Sequence, residues 1–285
     1  MNHRFAFFGS DDFSVKVLIE LDRHNLEPEL LITTPDKPKG RGLKITPGSV
    51  SLWAETKNIP YLKPADLKTI LPTLNQGNFD FLIVASYGKI IPPSILKLPR
   101  LGVLNIHPSL LPKLRGAAPI ERGILEGGQN IGVSIMLVDE KMDHGPLLAK
   151  QKIDFKNQTA GQLKDQTAVL GAQMLVKILP TWLSGELKPE PQIDSQATYA
   201  PKISKNEFKI SLKDSAQSNY LKILAALPKP GAFFFIKNKS GEDLRIIIKD
   251  ASLKDDKLII KKVTPAGGQE TDWDKLIRRL GPIYS

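Results

Sequence analysis

A chain of 285 residues with 41 % hydrophobic content can bury a full core and is long enough for two domains. It has no cysteine, so disulfides and thiolate metal sites are excluded, a composition suited to a reducing cytoplasm. The opening MNHRFAFFGSDDF holds too short an apolar run for a signal peptide, and no run of about 18 apolar residues follows, so a soluble chain with no membrane contact is expected. The net charge of +10 is uneven: from Lys202 onward 17 Lys and Arg face 10 Asp and Glu (+7), against 23 and 20 (+3) before it. A basic C-terminal third fits a polyanionic partner such as nucleic acid, and equally a lysine-rich solubilising surface.

Arg4–Phe8 is an apolar strand, and Gly9 permits a tight turn into a helix over Phe13–His24 that Ser10, Asp11 or Asp12 can cap. FFGSDDF lacks the glycine spacing of a dinucleotide fingerprint. Glu29–Thr34 reads as a second strand. The next stretch, PDKPKGRGLKITPG, holds three Pro, three Gly and four cations between Pro35 and Gly48, which predicts a mobile loop. Lys37, Lys39, Arg41 and Lys44 could lie along a phosphate backbone, or be idle solvated charges. A helix over Val50–Lys57 and a crossing at Pro60–Tyr61 precede the apolar strand Phe79–Ala85, after which Tyr87–Gly88 makes a turn. Alternating helices and apolar strands predict an α/β domain with an open, Rossmann-like parallel sheet.

Leu101–Arg122, LGVLNIHPSLLPKLRGAAPIER, is the most informative stretch. Gly102–His107 reads as a buried strand stopped by Pro108, so Asn105 and His107 project to one side at its carboxyl end, where open parallel sheets bind ligands. Asn105 can donate to a developing oxyanion, and His107 can donate or move a proton near neutral pH. The plainer alternative is two satisfied polar residues at a strand end. A helix over Ala118–Leu125 and a strand over Gly132–Val138 follow, then DEKMDHGPLLA, where Gly145 permits a turn. Asp143 in that loop is either a turn former or a site carboxylate that stabilises the imidazolium, if the loop folds back toward Asn105 and His107.

NIHPSLLPKLRGAAPI resembles the signature of the folate-dependent formyltransferase family, and its RGAAPI tail is most similar to the branch that formylates methionyl-tRNA. The resemblance extends over essentially the whole chain. It implies formyl transfer from 10-formyltetrahydrofolate to the methionine amino group of initiator methionyl-tRNA for translation initiation, by a cytoplasmic monomer that uses no metal. It implies catalytic roles for Asn105, His107 and Asp143, and a folate site bounded by Ser109, Leu110, Leu111 and Pro112. ASYGKIIP resembles the family loop beside the pterin, which adds Gly88, Lys89 and Ile90. PDKPKGRG resembles the insertion that grips the acceptor stem, with Arg41 as the main contact among Lys37, Lys39, Arg41 and Lys44. Where the family has Gly-Thr-Pro near its start this chain has Ser10 and Asp11, and His144 stands where Thr is usual.

Thr159–Leu183 is one long amphipathic helix, with Leu163, Thr167, Leu170, Met174, Ile178 and Trp182 recurring at helical spacing as core. The proline-rich polar stretch that follows reads as a linker over 189–204, which separates a catalytic domain (1–188) from a domain over 205–285. There a helix at Ser215–Ala226 precedes short apolar runs at Ala232–Lys237, Leu244–Lys249 and Lys257–Val263, which suggests a small OB-like β-barrel; the resemblance makes it a tRNA-binding domain. In this part the chain has LAALPKPG where the family has Arg and Trp, and Glu270 where its late motif has a second lysine. Two rival functions remain: the same chemistry on a small amine (glycinamide ribonucleotide or an amino sugar), and a basic RNA-binding module without catalysis.

Overall fold

The computed structural model describes residues 3–39, 44–238 and 240–280. By internal contacts the chain divides into two units: Met1–Ala117, Asn130–Ile153 and Lys164–Ala200 form the first; Ala118–Gln129, Asp154–Leu163 and Pro201–Ser285 form the second.

In the first unit, β1 (Phe5–Phe8) leads into α1 (Asp12–Arg23), whose start is closed by a capping box between Asp11 and Ser14. Then come β2 (Leu30–Ile32), β3 (Lys37–Lys39), β4 (Lys44–Thr46), α2 (Ser49–Lys57), β5 (Tyr61–Leu62), α3 (Leu71–Gly77), β6 (Phe81–Val84), α4 (Pro93–Leu96) and β7 (Val103–His107). Helix α5 (Pro119–Leu125) belongs to the second unit, and the chain returns to the first with β8 (Gly132–Leu137) and β9 (Leu147–Lys152). The sheet runs β5-β2-β1-β6-β7-β8-β9. Its first five strands are parallel, as the alternation of helices and strands predicts, while β8 and β9 add antiparallel to β7 and to each other. The sheet is therefore mixed: only the loop 138–146 joins β8 to β9, too short for the crossover helix a parallel pair needs.

β1 and β6 are apolar on both faces, as strands inside a parallel sheet are, and β7 is apolar except for Asn105 and His107 on one face. On one face Ala6, Phe8, Ile32, Leu82 and Ile95 form a continuous cluster. Helix α6 (Ala160–Leu183) begins in the second unit and passes into the first, where Gly171 lies so close to Ile106 that any Cβ at 171 would overlap it. That glycine lets α6 seat directly behind the strand that carries Asn105 and His107.

The stretch 35–48 differs from the loop expected of its composition. β3 and β4 form an antiparallel hairpin, with Lys37 opposite Thr46, Pro38 opposite Ile45 and Lys39 opposite Lys44. Pro38 is tolerated because a two-stranded ribbon has only edges. The hairpin base is tied down by Asp36, whose carboxylate accepts from Gly48 N–H (3.3 Å) and pairs with Lys63 (2.8 Å). No described helix is long and apolar enough to cross a membrane.

In the second unit, α7 (Ala216–Ala226) packs on the antiparallel sheet formed by β10 (Phe233–Lys237), β11 (Asp243–Lys254), β12 (Lys257–Pro265) and β13 (Thr271–Asp272), in that order. Helix α8 (Trp273–Leu280) follows, and Trp273 meets Phe234 edge-on at 5.6 Å. The small β-rich C-terminal region is thus an open four-strand meander among the described residues. Along β10 the side chains alternate: Phe234 and Ile236 are buried, while Phe235 is exposed with the Lys209 ammonium 5.4 Å from its ring.

Candidate active site

β1 and β6 end in register at Phe8 and Val84, level with Asn105 of β7, and β7 runs two residues further to His107 at the rim of the sheet. Asn105 and His107 share a face of β7, opposite Met136 and Ser134 of β8. Their environments differ. His107 is buried, and its Nε2 lies 3.1 Å from the Leu114 carbonyl oxygen; a carbonyl only accepts, so Nε2 carries the proton. That leaves Nδ1 as the ring atom with chemistry still open. Asn105 is half-buried, and its carboxamide makes no hydrogen bond among the described residues. A half-buried amide held on a rigid strand with no partner is a donor in reserve.

Asp143 arrives from 36 residues away. The β8–β9 loop carries its carboxylate to 3.6 Å from His107, Oδ1 to Nδ1, while Oδ2 accepts from Gly116 N–H at 2.8 Å. A proton on Nδ1 would make the ring a cation facing that carboxylate. The backbone around the pair is unusual: Asp143 has φ +49°, Leu114 +60° and Gly116 +121°. A Cβ at Gly116 would sit 2.8 Å from the Ala200 carbonyl oxygen, so this close approach requires glycine.

Residues 189–200, read above as linker, are stitched to the first unit. Arg115 exchanges backbone bonds with this segment (Arg115 N–H to Thr198 O, 2.9 Å; Ala200 N–H to Arg115 O, 2.7 Å), and the Thr198 hydroxyl accepts from Leu114 N–H at 2.9 Å. The buried Arg115 guanidinium donates to Gln192 Oε1 and to Asp194. Gln192 Nε2 donates in turn to the carbonyls of Asp143 (2.9 Å) and Gly145 (2.7 Å). His144 bridges Asp139 (2.6 Å) and Asp194 (3.3 Å). The Arg115 guanidinium, then His144, hold the Asp194 carboxyl below the usual carboxylate range. Sequence reasoning missed Arg115, Gln192 and Asp194. A polar residue in an aperiodic stretch carries no signal; only the buried arginine, read as a charge needing partners, could have pointed to them.

Of the proposed folate set, Ser109 and Leu111 are buried, and Leu110 and Pro112 are half-buried. Ser109 Oγ donates to Lys113 O, and Ser134 Oγ fastens the turn by donating to Ser109 O (2.7 Å) and accepting from Leu111 N–H (3.0 Å). A ligand would meet this turn through Leu110, Pro112 and the backbone. The loop after β6, at residues 85–90, is held from the β1–α1 turn and the start of α1: Ser10 donates to Tyr87 O, Ser14 to Ala85 O, and Ser86 to Asp11. Tyr87 is core, edge-on to Phe8, and burial pushes its hydroxyl up to about 12. Gly88 (φ +76°) borders open space, Lys89 Nζ donates to Pro64 and Ala65 carbonyls, and Ile90 is 85 % exposed. Of the cationic set, Lys37, Lys39 and Lys44 are placed by backbone in the hairpin, and Arg41 lies outside the described residues.

Residues 3–179 match the family model described as formyl transferase. The chain belongs to the formyl transferase family. Among its relatives are methionyl-tRNA formyltransferases of Dictyoglomus turgidum, 41 % identical over 83 % of this chain and 76 % of that protein, and of Thermus thermophilus, 39 % identical over 85 % and 79 %. Another, from Thermotoga maritima, is 37 % identical over 82 % and 76 %. Solved structures share the fold at low identity. A 4-N formyltransferase from Francisella tularensis superposes with a TM-score of 0.66 at 16 % identity, over 89 % of this chain and all of that one. HypX from Aquifex aeolicus in complex with tetrahydrofolic acid gives 0.66 at 15 %, over 97 % of this chain and 47 % of that one. As a formyltransferase, this chain has its family match over the stretch that carries Asn105, His107 and Asp143.

Proposed function

We propose that this formyltransferase moves the formyl group of 10-formyltetrahydrofolate onto the amino group of methionine carried by initiator tRNA, in the cytoplasm and as a monomer. The observation that carries the chemistry is the grouping at the rim of β7: an uncommitted Asn105 amide beside a His107–Asp143 pair at 3.6 Å. The amine reaches the formyl carbon as a neutral nucleophile, so charge gathers on the formyl oxygen while the nitrogen acquires a proton to lose. Asn105 Nδ2 and the Nδ1–H of His107 donate to that oxygen. Each such donor in a dry site is worth about 2.7–4 kcal/mol. Asp143, opposite the imidazole, steadies the cation and takes up the proton that the amine sheds. The folate supplies the formyl carbon: the bond from that carbon to the incoming nitrogen forms, the bond to the folate nitrogen breaks, and a proton returns to the folate. No side chain becomes acylated.

Leu110 and Pro112, with the backbone at Ser109 and Leu111, would press on the flat ring system, and backbone atoms of Gly88, Lys89 and Ile90 would line its edge. The open space at Gly88 and the exposed Ile90 support a ligand on that side. The acceptor preference rests on the relatives at about 40 % identity and on the cationic hairpin with Lys37, Lys39, Arg41 and Lys44, which would track the tRNA backbone. We assign formyl transfer to residues 1–188 and further RNA contact to 205–285, joined by 189–204. The test is donor-dependent formylation of charged initiator tRNA, run beside glycinamide ribonucleotide and an amino sugar as acceptors. Formyl-methionyl-tRNA forming only with donor is the expected product; formylation of a small amine in its place would overturn the acceptor.

A further inference from the structure

The segment 189–200 does more than join two parts of the chain. The Gln192 carboxamide saturates all four of its hydrogen-bonding positions within the site. Oε1 accepts from Arg115 Nε (3.1 Å) and Nη2 (2.9 Å), and Nε2 donates to the carbonyls of Asp143 (2.9 Å) and Gly145 (2.7 Å). The orientation of the amide is fixed by chemistry, since the guanidinium only donates and the carbonyls only accept. These bonds close a ring. Asp143 Oδ2 accepts from Gly116 N–H, Gly116 follows Arg115 in the chain, Arg115 donates to Gln192, and Gln192 donates back to Asp143. The ring holds Asp143 from both ends, main chain and carboxylate. It does so at a left-handed residue (φ +49°), a conformation the loop has to be held in.

We propose that Gln192 is a positioning residue that sets the Asp143 carboxylate against His107; this rests on the roles given above to that pair. The effect would fall on turnover rather than binding, because the ring touches Asp143 and not the loops assigned to the folate. A misplacement on the order of 1 Å can cost about 100-fold in rate. Gln192→Glu keeps the shape and the acceptor side, but turns a carboxylate toward two carbonyl oxygens. Gln192→Met keeps the length and removes all four bonds.

The test combines kinetics with amide hydrogen exchange at Gly116, whose N–H reports directly on the Asp143 carboxylate. In both variants kcat should fall by about 10- to 100-fold with KM for donor and for tRNA within about twofold. Gly116 should lose its exchange protection, while core amides such as Ala6 and Ile83 stay as slow as in the unaltered protein. A Gly116 amide that remains protected in both variants, or an unchanged kcat, overturns the proposal; so does a loss confined to KM. Gln192 acting only as glue for the segment would lower the melting temperature and leave Gly116 protected. If Gln192→Glu does not fold, Gln192→Met carries the test alone. If the unaltered enzyme formylates no acceptor, the functional reading fails, and Gly116 exchange still decides whether Gln192 holds Asp143.

Discussion

Two glycines flanking the proposed site offer a matched pair of perturbations. Gly116 and Gly88 both have positive φ, +121° and +76°, so alanine is strained at either. They differ in what a Cβ would meet: at Gly88 nothing lies within 4 Å, while at Gly116 the Ala200 carbonyl oxygen is 2.8 Å away and its carbon 3.3 Å. Backbone strain alone costs about 1–3 kcal/mol, with the lower end suiting Gly88, near the region that side chains sometimes visit. At Gly116 the larger angle takes the upper part of that range. The overlap must also push Ala200 away, and with it the 2.7 Å bond from its N–H to Arg115 O, worth about 1 kcal/mol. Gly116→Ala should therefore lose about 2–4 kcal/mol and Gly88→Ala about 1 kcal/mol. Urea unfolding of both proteins, with slopes compared to confirm an unchanged transition, measures the difference. A Gly116→Ala loss no larger than that of Gly88→Ala would refute the claim that segment 189–200 is seated tightly against the His107–Asp143 loops.

Ser134 is fully buried and bridges Ser109 O and Leu111 N–H, so Ser134→Ala strands a buried donor and should cost about 1–3 kcal/mol in the same unfolding assay. The Arg115 guanidinium holds the Asp194 carboxyl below its ordinary value of 3.8, which makes the pair stabilising above that pH and progressively lost as pH falls through the lower folded value. Stability of wild type and Asp194→Asn measured against pH should show a gap that is steady above about pH 5 and closes in acid; a gap that widens in acid would contradict it. Arg41→Ala should weaken tRNA binding and reduce the slope of log affinity against log salt by about one, and an unchanged slope would remove Arg41 from the tRNA footprint.

The strands that place the site were readable because each is an apolar run ended by glycine or proline. In Gly102–His107, stopped by Pro108, the alternation of a strand puts Asn105 and His107 on one face. The approach of Asp143 was not readable, since a loop's return path depends on backbone angles such as φ +49° that composition does not encode. β9 was hidden because Leu147–Lys152 turns polar along its length, as an edge strand does. The β3–β4 hairpin was masked by three prolines and three glycines, residues that argue against a strand everywhere except at an edge. Residues 189–200 looked like a linker for the same reason that Gln192 was missed: their work is done by single side chains and backbone amides, with no hydrophobic period to betray it. In α6 the expected stripe holds at Leu163, Thr167 and Met174, which are buried, while Leu170, Ile178 and Trp182 are only partly so; Ala168, Ala172, Leu175 and Leu179 complete the buried face, and Gly171 among them is what lets the helix approach β7.

The central claim is that a side-chain amide with no structural duty waits for charge on a formyl oxygen. Asn105→Ala removes that amide and disturbs nothing it was bonded to, so folding should be unaltered. Its kcat for donor-dependent formylation of methionyl-tRNA should fall by about 100- to 1,000-fold, with KM little changed. A folded Asn105→Ala enzyme that formylates methionyl-tRNA at the wild-type rate would contradict the account.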